Sequence, residues 1–154
     1  MSNVIFKELG FPILLIDPPL VTVRGHKVPD VNLRALQEAV FRKLVFKPAR
    51  LTGAEVRFIR KHLRLRQADL AEVLNMANHT VVSQWESRED EPAGMEYNTE
   101  VVLRLYMATR AGEGGQIQEL LESGLKRLPA RQRAPLEVPV PAHPATLAIE
   151  TAGE

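Results

Sequence analysis

Polar side chains that can hydrogen bond to the edges of DNA bases are concentrated between residues 78 and 84. They supply two amides, an imidazole and two hydroxyls: Asn78, His79, Thr80, Ser83 and Gln84. Val82 and Trp85 fall at positions that a helix would turn inward. An exposed helix face of amide, hydroxyl and imidazole groups suits the donor and acceptor pattern of a major groove. The chemistry predicted here is therefore recognition of bases.

Basic residues are concentrated just before this stretch. The segment from Arg42 to Arg66 contains nine lysines and arginines and one acid, Glu55. From Gln67 to Glu100 the balance inverts, with eight acids against the single base Arg88. A local positive excess attracts phosphates without regard to base sequence, although a solvated helix face is the alternative interpretation. Four residues are phosphate candidates by charge and location: Lys61, Arg64, Arg66 and Arg88.

Two short helices must position these groups. The first runs from Gln67 to Leu74, and the second follows a tight connection and is capped by Asn78. Leu70 and the small Ala71 face the core, where a small side chain lets two helix backbones approach closely. The spacing is typical of a helix-turn-helix.

A capping box marks the start of the preceding helix. The Thr52 hydroxyl and the Glu55 carboxylate have the T-x-x-E spacing in which each satisfies a backbone amide of the other. Apolar residues recur on the inward side of this helix at Val56, Ile59 and Leu63.

The remaining sequence divides around this core. Residues 4–30 alternate short apolar runs with turns, which predicts a small antiparallel sheet, and Asn32 caps a helix to about Val45. A later helix is expected to start at Asn98 or Thr99, with an apolar face of Val102, Leu105 and Tyr106. We therefore predict four regions: an N-terminal sheet and helix (1–48), a DNA-binding domain (49–111), an amphipathic helix (112–128) and a flexible Pro- and Ala-rich tail (129–154). The candidates for the dimer contact are the helix of 98–110, the helix of 112–128 and the unpaired edges of the N-terminal sheet. A short strand near 136–140, docked on a partner subunit, is the alternative for part of the tail.

The helical stretch resembles the lambda-repressor-like, or Xre, regulators over about Leu51 to Tyr106. The matching residues are Leu65, Gln67, Leu70, Ala71, Leu74, Thr80, Val82, Ser83, Trp85, Glu86 and Pro92. The lead-in 51–55 is similar to the subgroup that includes MqsA-type antitoxins, which often carry an N-terminal cysteine zinc ribbon. This chain contains no cysteine, so no zinc is implied. The fold class expected is mainly α, a lambda-repressor-like helix-turn-helix domain with a small N-terminal antiparallel β/α extension.

The resemblance implies particular roles. Gln67 would bind a phosphate through its amide at a helix N-terminus, and His79, Thr80 and Gln84 would contact base edges. Two departures affect the register: one extra residue lies in the turn 75–77, and the glycine that usually follows the Trp-Glu pair is replaced by Ser87.

The expected function is that of a sequence-specific regulator of transcription, a repressor that binds double-stranded DNA as a homodimer on a two-fold operator. The alternative is an antitoxin or adaptor that neutralises a partner protein and regulates its own operon. No catalytic residues, metal site or cofactor are predicted, because no nucleophile, base or ligand cluster has suitable spacing. No apolar run could span a membrane, and the absence of cysteine fits a cytoplasmic protein.

Overall fold

The computed structural model describes residues 3–112 and 134–140. The helices in these ranges are α1 (Leu33–Val45), α2 (Gly53–His62), α3 (Gln67–Val73), α4 (Thr80–Glu86) and α5 (Tyr97–Arg110). The strands are β1 (Val4–Phe6), β2 (Ile13–Ile16), β3 (Leu20–Val23), β4 (His26–Pro29) and β5 (Leu136–Pro139).

The predicted fold class is wrong. Helices make up 44% and strands 18% of the described residues, so the chain is mixed α/β and not a mainly α, lambda-repressor-like fold. The reason is that the sheet belongs to the core. Ile13 and Leu15 on β2 and Leu136 and Val138 on β5 are all buried, and β5 contacts α1.

The main sheet joins the two ends of the described chain. β2 is its central strand, with β1 antiparallel on one side and β5 parallel on the other. The strand considered for residues 136–140 is therefore present, but it pairs with β2 of its own chain. Pro139 is tolerated in β5 because that strand lies at the sheet edge.

The other two strands form a separate ribbon. Among the described strands, β3 and β4 pair only with each other, with Val21 opposite Val28 and Val23 opposite His26. Arg24 and Gly25 form the connection, with φ of 52° and 81°, as a type I′ hairpin turn requires. The prediction of one antiparallel sheet across residues 4–30 is thus wrong, although all four strands are present.

Helix boundaries predicted from capping residues are confirmed for α1 and α2. The Asn32 side chain accepts a hydrogen bond from the Ala35 amide at 3.1 Å. At α2, the Thr52 hydroxyl accepts from the Glu55 amide at 3.2 Å, while Glu55 Oε1 accepts from the Thr52 amide at 2.9 Å. Local hydrogen bonds therefore fix both starts.

α5 begins at Tyr97 rather than at Asn98 or Thr99, and its predicted apolar face is wrong at Val102, whereas Leu105 and Tyr106 are half-buried against the core. Val102 is 45% exposed, whereas Glu100 and Arg104 are buried. All five guanidinium N–H groups of Arg104 can be accounted for, because the group donates to the carbonyls of Val45, Lys47 and Ala49 and twice to Glu100. The connection between α1 and α2 needs these donors, so α5 turns its charged residues inward.

A polar cluster surrounds this contact, in which Lys47, Glu55, Glu100 and Arg104 are buried and Arg50 is half-buried; we call these five residues the buried polar cluster. Arg50 donates to Glu100 at 2.9 Å and to the Met95 carbonyl at 2.6 Å, and Lys47 Nζ lies 2.7 Å from Glu55 Oε1. Burial lowers the pKa of the Arg104 guanidinium, while the nearby Glu100 carboxylate opposes that effect. The cluster ties α1, α2 and α5 together through residues 47–51.

The predicted dimerisation helix (112–128) lies outside the described residues apart from Gly112, and so does most of the predicted tail. Within the described ranges, no helix is long and apolar enough to cross a bilayer.

Candidate nucleic-acid interface

The predicted base-contacting residues lie on α4 and in the connection that joins it to α3. α3 ends in a Schellman motif, in which the Asn75 amide donates to Glu72 O at 3.0 Å and the Met76 amide donates to Ala71 O at 2.7 Å. Asn75 has φ of 57°, a left-handed conformation that asparagine tolerates better than most residues. The chain therefore turns between the helices without a glycine.

α4 begins later than predicted. Thr80 is its first residue and His79 occupies the N-cap position without a side-chain hydrogen bond. Asn78 is therefore not the N-cap, but its Oδ1 accepts from the Thr80 amide at 2.9 Å. The asparagine still satisfies one amide of the first turn, from a position two residues before the helix.

Three polar residues form one exposed face on α4. Thr80, Ser83 and Gln84 lie at i, i+3 and i+4 and are all exposed. Their side chains make no hydrogen bond to any described residue. We call Thr80, Ser83 and Gln84 the α4 polar face. Asn78 and His79, also exposed, precede this face and line a shallow groove of about 380 Å³ with Ala68 and Glu72 of α3.

The opposite side of α4 is closely packed. Val82 and Trp85 are buried as predicted, and Val81 is half-buried against the same core. Gly53, at the start of α2, lies under the last turn of α4. A Cβ at Gly53 would overlap the Trp85 carbonyl oxygen and lie 2.8 Å from the Glu89 nitrogen. Only glycine permits this approach of the two helices.

The single acid of α4 points inward. Glu86 is buried and accepts from Arg60 Nε at 2.6 Å and Nη2 at 3.1 Å. Gln67 Nε2 donates to the same carboxylate at 3.3 Å. One amide hydrogen of Gln67 is thereby used, while the other remains for an external acceptor. Gln67 is half-buried at the start of α3, so it lies beside the end of α4.

A second arginine holds the segment after α4. Arg57 Nη2 donates to the Glu86 carbonyl at 2.9 Å, and its guanidinium pairs with both carboxylate oxygens of Glu89. The hydrogen bonds and charge of Arg57 lower the pKa of Glu89, and Glu89 in turn raises the pKa of Arg57. Glu89 has φ of 52°, so a non-glycine residue makes the left-handed turn here.

Arg66 has an acidic partner within α3. Its guanidinium donates to Asp69 at 3.0 Å through both Nε and Nη2, and its amide donates at 2.9 Å. These bonds lower the pKa of Asp69 and raise that of Arg66. The Arg66 side chain is nevertheless 84% exposed. It can therefore exchange this carboxylate for a phosphate.

Half of the acids in the segment after residue 66 are neutralised by arginines. Four of its eight acids are paired with arginines: Asp69 with Arg66, Glu86 with Arg60, Glu89 with Arg57, and Glu100 with Arg50 and Arg104. The sequence prediction of an acidic motif therefore overstates the negative charge at α4.

The other phosphate candidates differ in their surroundings. Lys61 and Arg64 are exposed near the end of α2 and form no ion pair with a described residue. Arg64 has φ of 59°, because it makes the left-handed turn of a second Schellman motif. Arg88 is exposed, but its guanidinium lies over Gly94, where a Cβ would be 3.6 Å from Nη2.

Sequence reasoning missed the arginine contacts beneath α4 and the role of Gly53. Arg60 and Glu86 are 26 residues apart, and no local periodicity connects them. No group of three or more potential metal ligands is found among the described side chains. The arrangement is therefore an exposed, uncharged hydrogen-bonding face with arginines at its base.

Comparison of the chain with protein-family models, with curated proteins and with solved structures found no match.

Proposed function

We propose that this protein is a sequence-specific DNA-binding regulator of transcription, a cytoplasmic repressor that acts as a homodimer on a two-fold operator. The observation that carries the proposal is the α4 polar face. Its hydroxyl and amide groups are exposed and have no described partner, whereas the only acid of the helix is buried against Arg60. A helix with that surface can enter the major groove without repelling phosphates. The resemblance to Xre regulators points to the same function.

In this proposal Thr80 and Gln84 contact the base edges, and His79 lies beside them. A glutamine can pair bidentately with adenine, and a threonine can hydrogen bond to a base while its methyl group contacts a thymine methyl. Each good bidentate pair contributes about 1–3 kcal/mol of discrimination. Ser83 and Asn78 complete the polar surface at its two ends.

The residues around this face are proposed to contact the DNA phosphates. The second amide hydrogen of Gln67 is available at the N-terminus of α3, where the helix dipole also favours an anion. The proposal also assigns phosphate contacts to four basic residues, Lys61, Arg64, Arg66 and Arg88. Arg66 would exchange its ion pair with Asp69 for one with a phosphate. Binding should therefore weaken steeply as salt is raised.

A single reading helix contacts few base pairs, so useful specificity requires two copies. In a two-fold complex the two α4 helices would occupy half-sites about one helical turn, roughly 34 Å, apart. A dimer bound across such a site would exclude other proteins from it, which is the physical basis for proposing repression.

The test begins with selection of bound fragments from a random duplex pool, followed by anisotropy titration of the enriched duplex. We expect the double variant Thr80→Ala, Gln84→Ala to lose at least tenfold in specific affinity, from an estimate of about 1–3 kcal/mol per lost base contact. Its affinity for random duplex should change little. The matched control, Asn98→Ala with Thr109→Ala, removes an exposed amide and an exposed hydroxyl from α5 and should leave both affinities unchanged.

The proposal fails if no sequence is enriched, or if the Thr80 and Gln84 variant binds the enriched duplex as tightly as the unmodified protein. Binding that does not change between low and high salt would also contradict it. Circular dichroism of each variant verifies that the loss does not come from unfolding.

A further inference from the structure

The ribbon of β3 and β4 exposes more apolar surface than any other element described. Leu20, Val21, Val23 and Val28 are 44%, 43%, 49% and 37% exposed. No third strand pairs with the ribbon in the described ranges. An isolated two-stranded ribbon is marginal in water, so an additional surface is needed to stabilise this one.

The two edges of the ribbon are not equivalent. In a hairpin with a two-residue turn, the pair next to the turn is hydrogen-bonded and the pairs then alternate. Val23 and Val21 therefore bond inward to β4, and the next pair agrees, because the Asp30 amide donates to the Pro19 carbonyl at 2.7 Å. Leu20 and Thr22 consequently direct their backbone N–H and C=O groups outward.

The outer edge of β4 is protected, while that of β3 is open. The outward residues of β4 are Lys27 and Pro29; lysine and proline are residues that proteins use to prevent edge pairing, and Pro29 has no N–H to donate. β3 has the sequence Leu-Val-Thr-Val, without a charge or a proline. Leu20 and Thr22 therefore present two backbone N–H donors and two C=O acceptors along the outer edge of β3.

We propose that β3 pairs antiparallel with β3 of a second copy of this chain. With Val21 opposite the second copy's Val21 on the two-fold axis, Leu20 of each copy lies opposite Thr22 of the other. All outward backbone groups of Leu20 and Thr22 are then used, giving four hydrogen bonds between the copies. The valines of both ribbons form one continuous apolar face.

Charge complementarity identifies the occupant as a second copy. The same register places Arg24, just after β3, opposite Pro18 of the other copy and so one residue from Asp17 at the same end of the paired strands, and the symmetry repeats this arrangement. Both side chains are exposed, and neither forms an ion pair with a described residue. An uncharged strand with an acid before it and a base after it is complementary to itself only in the antiparallel orientation.

The inference rests on the proposed function in one respect, because a two-fold operator requires a second copy. It adds the surface that joins the copies. Dimerisation can be measured without DNA, so failure of one proposal is distinguishable from failure of the other.

The experiment is sedimentation velocity of the full chain over a range of concentrations, with two proline variants. Thr22→Pro removes an outward N–H of β3, and the matched control Lys27→Pro removes the outward N–H directly across the ribbon, on β4. Neither residue contributes to the ladder between β3 and β4. We expect Thr22→Pro to raise the dimer dissociation constant by at least about thirtyfold, through two lost hydrogen bonds per dimer. Lys27→Pro should leave it unchanged.

A charge exchange tests the register. Arg24→Asp and Asp17→Arg should each weaken the dimer, because like charges then lie at the same end of the paired strands, and the double variant should regain the original dissociation constant. Restoration in the double variant would not follow from general damage to the ribbon. Thermal melts by circular dichroism verify that each variant is folded.

Three results would overturn the inference: a monomer at all concentrations, a dimer that Thr22→Pro leaves unchanged, and equal weakening by both proline variants. A monomer that binds the selected duplex would leave the proposed function standing without this interface. A dimer that depends on β3 but binds no duplex would support this interface and contradict the proposed function.

Discussion

Two polar regions of this protein have opposite relations to their surroundings. The buried polar cluster places Arg104 and Glu100 in the interior, where every donor of the guanidinium finds an acceptor. The α4 polar face exposes hydroxyl and amide groups that have no described partner. Among the described residues, no buried side-chain polar atom is without a hydrogen bond. Unpaired polar groups therefore occur only where water, or a ligand, can reach them.

This contrast separates residues that determine stability from residues that determine binding. Loss of a fully paired buried group leaves other buried groups without partners, which is strongly destabilising. Loss of an exposed, unpaired group leaves no other protein group without a partner, because that group was hydrogen-bonded only to water. The cluster therefore positions α1, α2 and α5, and α4 can vary its outer face with little effect on folding.

The largest expected effect is at Arg104. Arg104→Met leaves Glu100 with Arg50 and the Leu51 amide, and it removes the donors that reach the carbonyls of Val45, Lys47 and Ala49. Breaking a buried pair in this way costs about 3–5 kcal/mol of unfolding free energy. Urea unfolding at neutral pH measures the change.

The matched control is Gln84→Met on the α4 polar face, which places the same side chain on an exposed helix. Its unfolding free energy should stay within about 0.5 kcal/mol of the original. A loss below about 1 kcal/mol for Arg104→Met, or equal losses for the two variants, would remove the distinction between the regions.

An intermediate effect is expected at Gly53, beneath α4. Alanine normally stabilises a helix relative to glycine by about 1 kcal/mol. At this position its Cβ would overlap the Trp85 carbonyl oxygen, so Gly53→Ala should instead destabilise by about 1–3 kcal/mol. Because α4 must move away from α2, affinity for the selected duplex should fall as well.

Gly112→Ala provides the comparison for Gly53. That glycine has φ of 76°, and a Cβ added there would meet no described atom within 4 Å, so alanine costs about 1 kcal/mol of backbone strain alone. Duplex affinity should not change. Stabilisation by Gly53→Ala would show that the two helices do not approach as closely as described.

The smallest expected effect is at Arg64, where one substitution should raise the unfolding free energy and weaken duplex binding. Arg64 is held at φ of 59°, and Arg64→Gly relieves about 1–2 kcal/mol of strain against an entropic cost of about 0.5–1 kcal/mol. We expect a net gain of about 0.5 kcal/mol in unfolding free energy. Duplex binding should weaken, with the salt slope reduced by about one.

Lys61→Gln is the control for Arg64, because it removes a neighbouring exposed charge from ordinary helix geometry. It should weaken binding similarly without a gain in stability. If Arg64→Gly raises stability but leaves the salt dependence unchanged, Arg64 makes no phosphate contact.

Local signals predicted much of the fold. The capping box at Thr52 and Glu55 fixed the start of α2, and the apolar spacing placed Leu70, Val82 and Trp85 inside. The exposed character of Thr80, Ser83 and Gln84 followed from the same periodicity. Each of these features depends on residues within one or two helical turns.

Features that depend on distant residues could not be predicted in this way. Glu100 and Arg104 are spaced like a surface ion pair at i and i+4, and their burial depends on carbonyls some 50 residues earlier. The mainly α fold class failed for the same reason, because β5 pairs with a strand more than a hundred residues before it. No local spacing in the sequence connects Glu86 or Glu89 with the arginine that pairs with it in the structure.

The pairing of β2 with β5 also constrains the order of folding during synthesis. The main packing partners of α2, α3 and α4 are α1, one another and residues 89–92, all of which are made early, whereas β2 gains its second neighbour only after Pro139 has been made. Until then, Ile13 and Leu15 belong to an unfinished sheet with an open edge. The growing chain therefore carries β2 with an open edge until the segment that covers it, more than a hundred residues later, has been synthesised.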